Sequence, residues 1–530
     1  MTHHLPIWVL LGILAAAVAS TKANAQQVQQ DETRFAEDQL RRSGSQPTYD
    51  QFNDPETGQR QTPVFDDAPL DDGTGATASG SDDTALGIEN RPAEPENDPV
   101  RPDRDLVDEG NSRAQPAQQV GIINPGGEVT PLANSRIRPI EGGGLRGTDD
   151  PFAPLGIRNG SFLLFPTLTQ SFGYTDNADF TANGEESAFS LTSGRLRLSS
   201  NWAIHRLTAE IGGSYQAFFN GTSDDLPNFD GNVELRLEHA RDFSTTWGAS
   251  FLRTTESASS IDLNPVGTAF VVGRTDVTQG VAFGQAEKRW GRFNGRLRGT
   301  ATRTDYGDAD LSDGSSVSQD DRTNTLISGT LRLGYETSPA LQPFVEGTVG
   351  TRLHDEASIG SGEKRDGLLL ALRGGVAFDR SEDFNGEIAV GYSTESFDDP
   401  SLDSLSGVTI DGTINWSPKR LTTVTATAQT AFTPSTNAGE SGSITYAATL
   451  GVARAVRPNL TLSARVLASL RDYEGSLRED RTLQGTLGSE WRLNRNAAIV
   501  AELGYENVDS TDVDSSYKAF TARLGLRLQR

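Results

Sequence analysis

The chain has 530 residues and a formal net charge of -25. Only 35% of it is hydrophobic, and cysteine is absent, which excludes disulfides, thiolate metal sites and a lipid-modified N-terminal cysteine. The acidic balance argues against general nucleic-acid binding, which needs basic surface.

The first segment, residues 1–25, reads as a secretory signal peptide. Ile7 to Ala19 is an apolar run too short to span a membrane easily, and Ala23-Asn24-Ala25 follows as a small-residue cleavage site, so processing is expected before Gln26. The basic region ahead of it is weak, which leaves an uncleaved inner-membrane anchor as the other reading. Residues 26–150 hold 25 acidic and 11 basic residues and are rich in Pro, Gly, Gln, Asp and Ser. Such a composition buries too little apolar surface to offset chain entropy, so a disordered acidic periplasmic segment is expected, as a tether or as a binder of a periplasmic partner.

From residue 151 to 530 the expectation is an all-β domain, a closed transmembrane antiparallel barrel of about 18 strands. No internal stretch supplies the roughly 18 apolar residues of a spanning helix. A barrel needs none, because only alternate side chains meet lipid. From about Ser161 the pattern has period two: Leu207, Ala209, Ile211, Gly213 and Tyr215 alternate with Thr208, Glu210, Gly212, Ser214 and Gln216. Eight short turns, from Trp202–Arg206 to Leu493–Ala497, separate nine longer loops rich in Asp, Ser, Gly and Asn, which gives eighteen strands. An even count puts both ends of the barrel on one side. Trp202, Trp247, Trp290, Trp416 and Trp491 fall at short-turn ends. Tyr174, Tyr215, Tyr306, Tyr392, Tyr446, Tyr473, Tyr505 and Tyr517 fall at long-loop ends, and only Tyr335 breaks the rule. Two girdles at the membrane interfaces explain this segregation, which a soluble sandwich or β-helix does not.

The lead-in Asp150-Pro151-Phe152-Ala153-Pro154-Leu155-Gly156-Ile157-Arg158-Asn159-Gly160-Ser161-Phe162, followed by Leu163–Leu168 and Gly173-Tyr174-Thr175-Asp176-Asn177, resembles the family described as "Putative beta-barrel porin 2". The resemblance implies an outer-membrane barrel of a Gram-negative bacterium with a loosely defined transport role, and some related proteins are associated with exopolysaccharide export. Many outer-membrane barrels end in an aromatic residue read by the barrel assembly machinery. This chain instead ends Leu526-Arg527-Leu528-Gln529-Arg530.

Strand parity turns Arg195, Arg197, Glu234, Arg236, Glu238, Arg296, Arg298, Arg332, Arg373, Arg465, Glu490, Arg492, Glu502, Arg523 and Arg527 toward the lumen. Glu210, Glu336, Glu346, Glu387 and Asp411 share that parity. Facing lipid near the midplane would cost about 2–4 kcal/mol for each Arg. The lumen is therefore expected to be either a charged, water-filled path or a cross-strand ion-pair lattice. The third outer loop, about Ser257 to Arg274, carries Ile261, Leu263, Val266, Phe270 and Val271 where the other loops are polar. Constriction of the barrel, extension of the sixth strand, and a latch on a second copy are its three readings. Asp305 to Gly314 looks acidic enough for calcium but fails the spacing of a calcium-binding loop. His205, His239 and His354 have no nucleophile motif beside them, so neither an enzyme, nor a cofactor, nor a metal site is expected. The expected function is a porin-like channel for small hydrophilic solutes, with an accessory barrel for polysaccharide export or a plugged structural barrel as alternatives. Its partners would be outer-membrane lipid and lipopolysaccharide, the assembly machinery and other copies of the chain.

Overall fold

The computed structural model describes residues 151–530 apart from 222, 258–270, 273, 359–361, 382, 438 and 513–514. The leader and the acidic segment lie outside the described residues. Eighteen long strands run in chain order: β1 Phe162–Thr175, β2 Ser187–Ser200, β3 Arg206–Phe218, β4 Leu226–Ala240, β5 Phe243–Ser257 and β6 Arg274–Trp290. Next come β7 Phe293–Tyr306, β8 Asn324–Tyr335, β9 Leu341–His354, β10 Gly367–Ser381, β11 Phe384–Phe397 and β12 Leu405–Lys419. The last six are β13 Thr422–Pro434, β14 Gly442–Arg457, β15 Leu460–Glu474, β16 Glu479–Asn494, β17 Ala497–Ser510 and β18 Tyr517–Gln529.

Each strand pairs antiparallel with its chain neighbour, and β1 pairs β18 from Thr167↔Gln529 to Thr175↔Thr521, which closes the wall. Followed once round the barrel, the registers return to β1 displaced by roughly 22 residues. With eighteen strands that stagger gives a tilt of about 40° and a backbone radius of about 18 Å. The lead-in contributes a short strand, Ile157–Asn159, paired to the start of β1. Both barrel ends lie together: Arg530 N donates to Pro166 O at 3.2 Å, and Arg495 Nε to Pro151 O at 2.8 Å. The final strand pairs β17 from Tyr517 to Leu528 and β1 from Thr521 to Gln529.

Alternation sorts the side chains as period two requires. Leu168, Phe172, Leu331, Leu333, Leu370 and Leu372 point out and are exposed, which in a membrane means covered by lipid. Several short turns are two residues long, and Gly291 supplies the positive φ that one of them needs (61°). The lipid-facing tyrosine girdle is narrower than the sequence suggests. Tyr174, Tyr215, Tyr392 and Tyr505 lie on the exposed face. Tyr306, Tyr473 and Tyr517 share parity with buried inward residues and are held there by Arg322, by Arg471 and Arg478, and by Phe180 respectively.

Candidate functional site: the charged lumen

On β8 to β12 the inward face is a ladder of alternating charge. The register places Arg332 opposite Glu346 and Glu346 opposite Arg373. Arg332 Nε donates to Glu346 Oε2 at 2.8 Å, and its two terminal nitrogens donate to Glu387 at 3.0 and 3.1 Å. Arg373 joins Glu346 and Asp411, each at 2.8 Å. The Arg332 guanidinium lies 3.8 Å over the Phe344 ring, which leaves its edge free for both carboxylates. Nearer the outer end Arg352 is bidentate to Glu395 (2.6 and 3.2 Å) and donates to Asn324 at 3.0 Å. Arg352 and Glu395 are 1% and 0% exposed, so these charges are withdrawn from water and depend on each other.

The rest of the wall carries further pairs, partly exposed on β2–β4 and buried on β16–β18. Arg195 pairs with Glu210 and with Asp230, the latter at 3.4 Å, with side chains 16% and 26% exposed. Arg197 reaches Glu210 at 3.5 Å. Arg523 is held by Glu502 (2.7 Å), and Glu490 bridges Arg527 (2.8 Å) and Arg492 (3.5 Å). Arg236 bonds Glu238 at 2.5 Å, and Arg298 stacks 3.8 Å over Phe283. Arg296 is buried between Glu287 and Arg332 in register. Glu234 keeps the parity of Arg236 on β4, and Arg465 shares its face on β15 with the buried Thr461 and Tyr473. Strand parity thus gathers the proposed lumen residues on one face, with Glu336 just past the end of β8.

The outer end is narrowed by elements the sequence did not single out. The first loop, residues 176–186, folds over the lumen face. Ala178 and Phe180 pack with Phe189, Leu191, Phe218, Leu226 and Ala519, a small apolar core inside the barrel mouth. Asn177 pins the loop: its Nδ2 donates to Thr181 O (2.8 Å) and Lys518 O (2.9 Å). Gly184 passes so close that any Cβ there would strike Asn177. In the fifth loop the buried Arg365 donates to Asn437 O (2.6 Å) and Glu440 O (2.5 Å) of the seventh. Outside the strands, Asp355 of the fifth loop is held below the usual carboxylate range by its hydrogen bond to Arg303. Arg352 and Glu395 could have been found by parity, but Arg365 and the first loop carry no periodic signal.

Ile261, Leu263, Val266 and Phe270 of the third loop lie outside the described residues. Val271 is paired in backbone register with Leu311, and Val272 with Asp310, in a small separate sheet with Ser316–Val317. The acidic stretch considered for calcium is thus a β-hairpin, in which Asp313 Oδ1 accepts from Ser315 N and Oγ. His205 lies in a turn, His239 stacks on Phe243, and His354 ends β9 at 3.8 Å from Asp366.

Among solved structures the chain is similar to the FrpB iron transporter of Neisseria meningitidis, with 8% identity, a TM-score of 0.34, and coverage of 65% of this chain and 62% of that one. It is similar to OccK2 (OpdF) of Pseudomonas aeruginosa, with 11% identity and a TM-score of 0.37, covering 69% and 97%. A BenF-like porin from Pseudomonas fluorescens Pf-5 gives 10% identity and a TM-score of 0.37, covering 70% and 99%. Scores this low say nothing of what the barrel conducts. No curated protein matches the sequence. The model of the family described as "Putative beta-barrel porin 2" matches residues 150–530, the whole of the barrel and its lead-in, and the chain belongs to that family of porin-like outer-membrane β-barrels.

Proposed function

We propose that the protein is a passive channel for small hydrophilic solutes in the outer membrane of a Gram-negative bacterium, and that it acts without catalysis. The observation that carries this reading is an inward face that pairs Arg with Glu or Asp on β2–β4, β8–β12 and β16–β18 of an eighteen-strand wall, a size that leaves room for water. Fixed ion pairs along such a path favour hydrated polar solutes and disfavour apolar ones. Residues 1–25 would direct export, and residues 26–150 would hang in the periplasm. Assembly would depend on the barrel assembly machinery and on lipid and lipopolysaccharide around the wall.

A second reading, a plugged structural barrel, is favoured by the buried ladder of β8 to β12 and by the first loop lying in the mouth. Swelling of liposomes containing the purified protein separates the two. Passive passage predicts rapid swelling in arabinose and slower swelling in raffinose. Swelling no faster than that of empty liposomes contradicts the channel and supports the plug.

A further inference from the structure

The seam between β12 and β13 is irregular. β11 pairs β12 up to Glu395↔Leu405, and β13 pairs β14 from Thr422↔Arg454 to Pro434↔Gly442. Between β12 and β13, however, the ladder stops at Gly412↔Ala428. The last backbone groups of β12 that still find β13 do so through a side chain. Ile410 N donates to Thr430 Oγ1 at 2.8 Å, and that hydroxyl donates to Ile410 O at 3.2 Å. Because Tyr392 stands opposite Val408, the unzipped stretch straddles the level of the outer tyrosine girdle.

An apolar cluster fills the seam: Leu405, Phe432 and Ile444, with Phe397 and Tyr446 packed against them. Parity makes this cluster unusual. Leu405 and Gly407 lie on the lumen face of β12, with Thr409 and Asp411, whereas Phe432 and Ile444 lie on the lipid face of β13 and β14, with Val452. A side chain on Gly407 would sit 2.9 Å from Ile444 Cδ1 and 3.3 Å from the Tyr446 hydroxyl. One on Gly442 would sit 3.0 Å from Leu405 Cδ2. The outer ends of β13 and β14 therefore lie behind β12 on its lumen side, like a lapped joint, and Arg365 grips their connecting loop. Beyond Gly412 the backbone ladder that seals lumen from lipid gives way to side-chain packing and the Thr430 hydroxyl. Such a break is unfavourable in hydrocarbon unless it is capped or used.

The geometry points to a lateral portal: the lapped seam between β12 and β13 admits the hydrocarbon part of an amphiphile between the lumen and the outer leaflet. The lining side chains of the cluster are uncharged and contact-sealed, so they can turn aside without leaving a buried ion unpaired, and the covalently continuous strands on either side stay in place. The glycine at 407 is what leaves space for Ile444 and Tyr446 to lie across β12. The inference does not depend on passive conduction, since a seam can open to lipid whether or not the lumen passes ions.

The test uses the full chain in phosphatidylcholine vesicles with p-benzoylphenylalanine introduced at Phe432, and in a second protein at the lipid-facing Phe172 as a positive control. Irradiation followed by mass spectrometry reads adducts to lipid acyl chains. The portal predicts acyl adducts at 432 within a few-fold of those at 172. It also predicts that an Ile410→Cys/Thr430→Cys disulfide cuts the yield at 432 several-fold and that reduction restores it. The native chain has no cysteine, so that pair is the only one that can form. The same label at Tyr446 serves if the Phe432 variant does not assemble, as judged by heat-modifiable mobility. Label at 172 with none at 432 or 446 overturns the portal, and so do adducts formed only with a second copy of the chain, which would make the open edge of β12 a docking strand.

Discussion

Replacing Glu346 with Gln removes the carboxylate at the centre of the lumen ladder while keeping its size. Glu346 is 2% exposed and accepts from both Arg332 and Arg373 at 2.8 Å. The glutamine oxygen can serve one arginine, and its amide would then face the other. Hydrogen bonds to charged groups contribute about 1.5–3 kcal/mol each, and breaking a buried pair outright costs about 3–5 kcal/mol. Arg332 retains Glu387 and Arg373 retains Asp411, so neither cation is left alone, and the expected loss is about 2–4 kcal/mol. The contrast is Arg481→Ala, whose pair with Glu479 has side chains 50% and 28% exposed and should cost under about 1 kcal/mol. Urea unfolding of the refolded protein in detergent, followed by heat-modifiable mobility, measures both. Equal midpoints for Glu346→Gln and the parent, or a larger loss for Arg481→Ala, would refute the idea that the ladder stiffens the wall.

Phe180→Ala should loosen the first loop, because Phe180 is 6% exposed in the core at the mouth, and single-channel current should rise without loss of assembly. The Arg303–Asp355 clasp should respond to acid: the carboxyl is depressed in the folded state, so its contribution is present above about pH 4 and is lost as pH falls through the folded value. Limited proteolysis of the fifth loop should therefore distinguish Asp355→Asn from the parent at neutral pH, and the difference should shrink as the pH is taken progressively below about 4. Joining the leader directly to residue 145 should still yield a heat-modifiable barrel, since the eighteen described strands that close the wall run from Phe162 to Gln529.

Period two made the wall legible. Runs such as Leu207 to Gln216 can satisfy lipid on one side and water on the other only as strands, and the short turns then fix how many there are. The charged lumen followed for the same reason, since Arg332, Glu346 and Arg373 cannot face hydrocarbon cheaply and register brings them together. What stayed hidden depends on contacts between segments far apart in sequence. Tyr517 belongs by position to the outer girdle, yet it turns inward because Phe180 of the first loop offers it a ring and Glu506 accepts from its hydroxyl at 2.6 Å. Ile444 sits in an ordinary alternating run, and Leu405 is a lone apolar side chain on the polar parity of β12. Nothing in either strand signals that the ladder between β12 and β13 ends at Gly412 and lets lumen and lipid faces meet.

Current through single molecules in a planar bilayer, with a potassium chloride gradient to give the reversal potential, tests the channel most directly. The inward parity carries a slight arginine excess in an otherwise paired lattice. Stable open steps are therefore expected at low salt, with a reversal potential near neutral or mildly favouring chloride that shrinks as screening grows. Absence of open steps from correctly assembled barrels, or a strongly cation-selective reversal potential, would contradict the account.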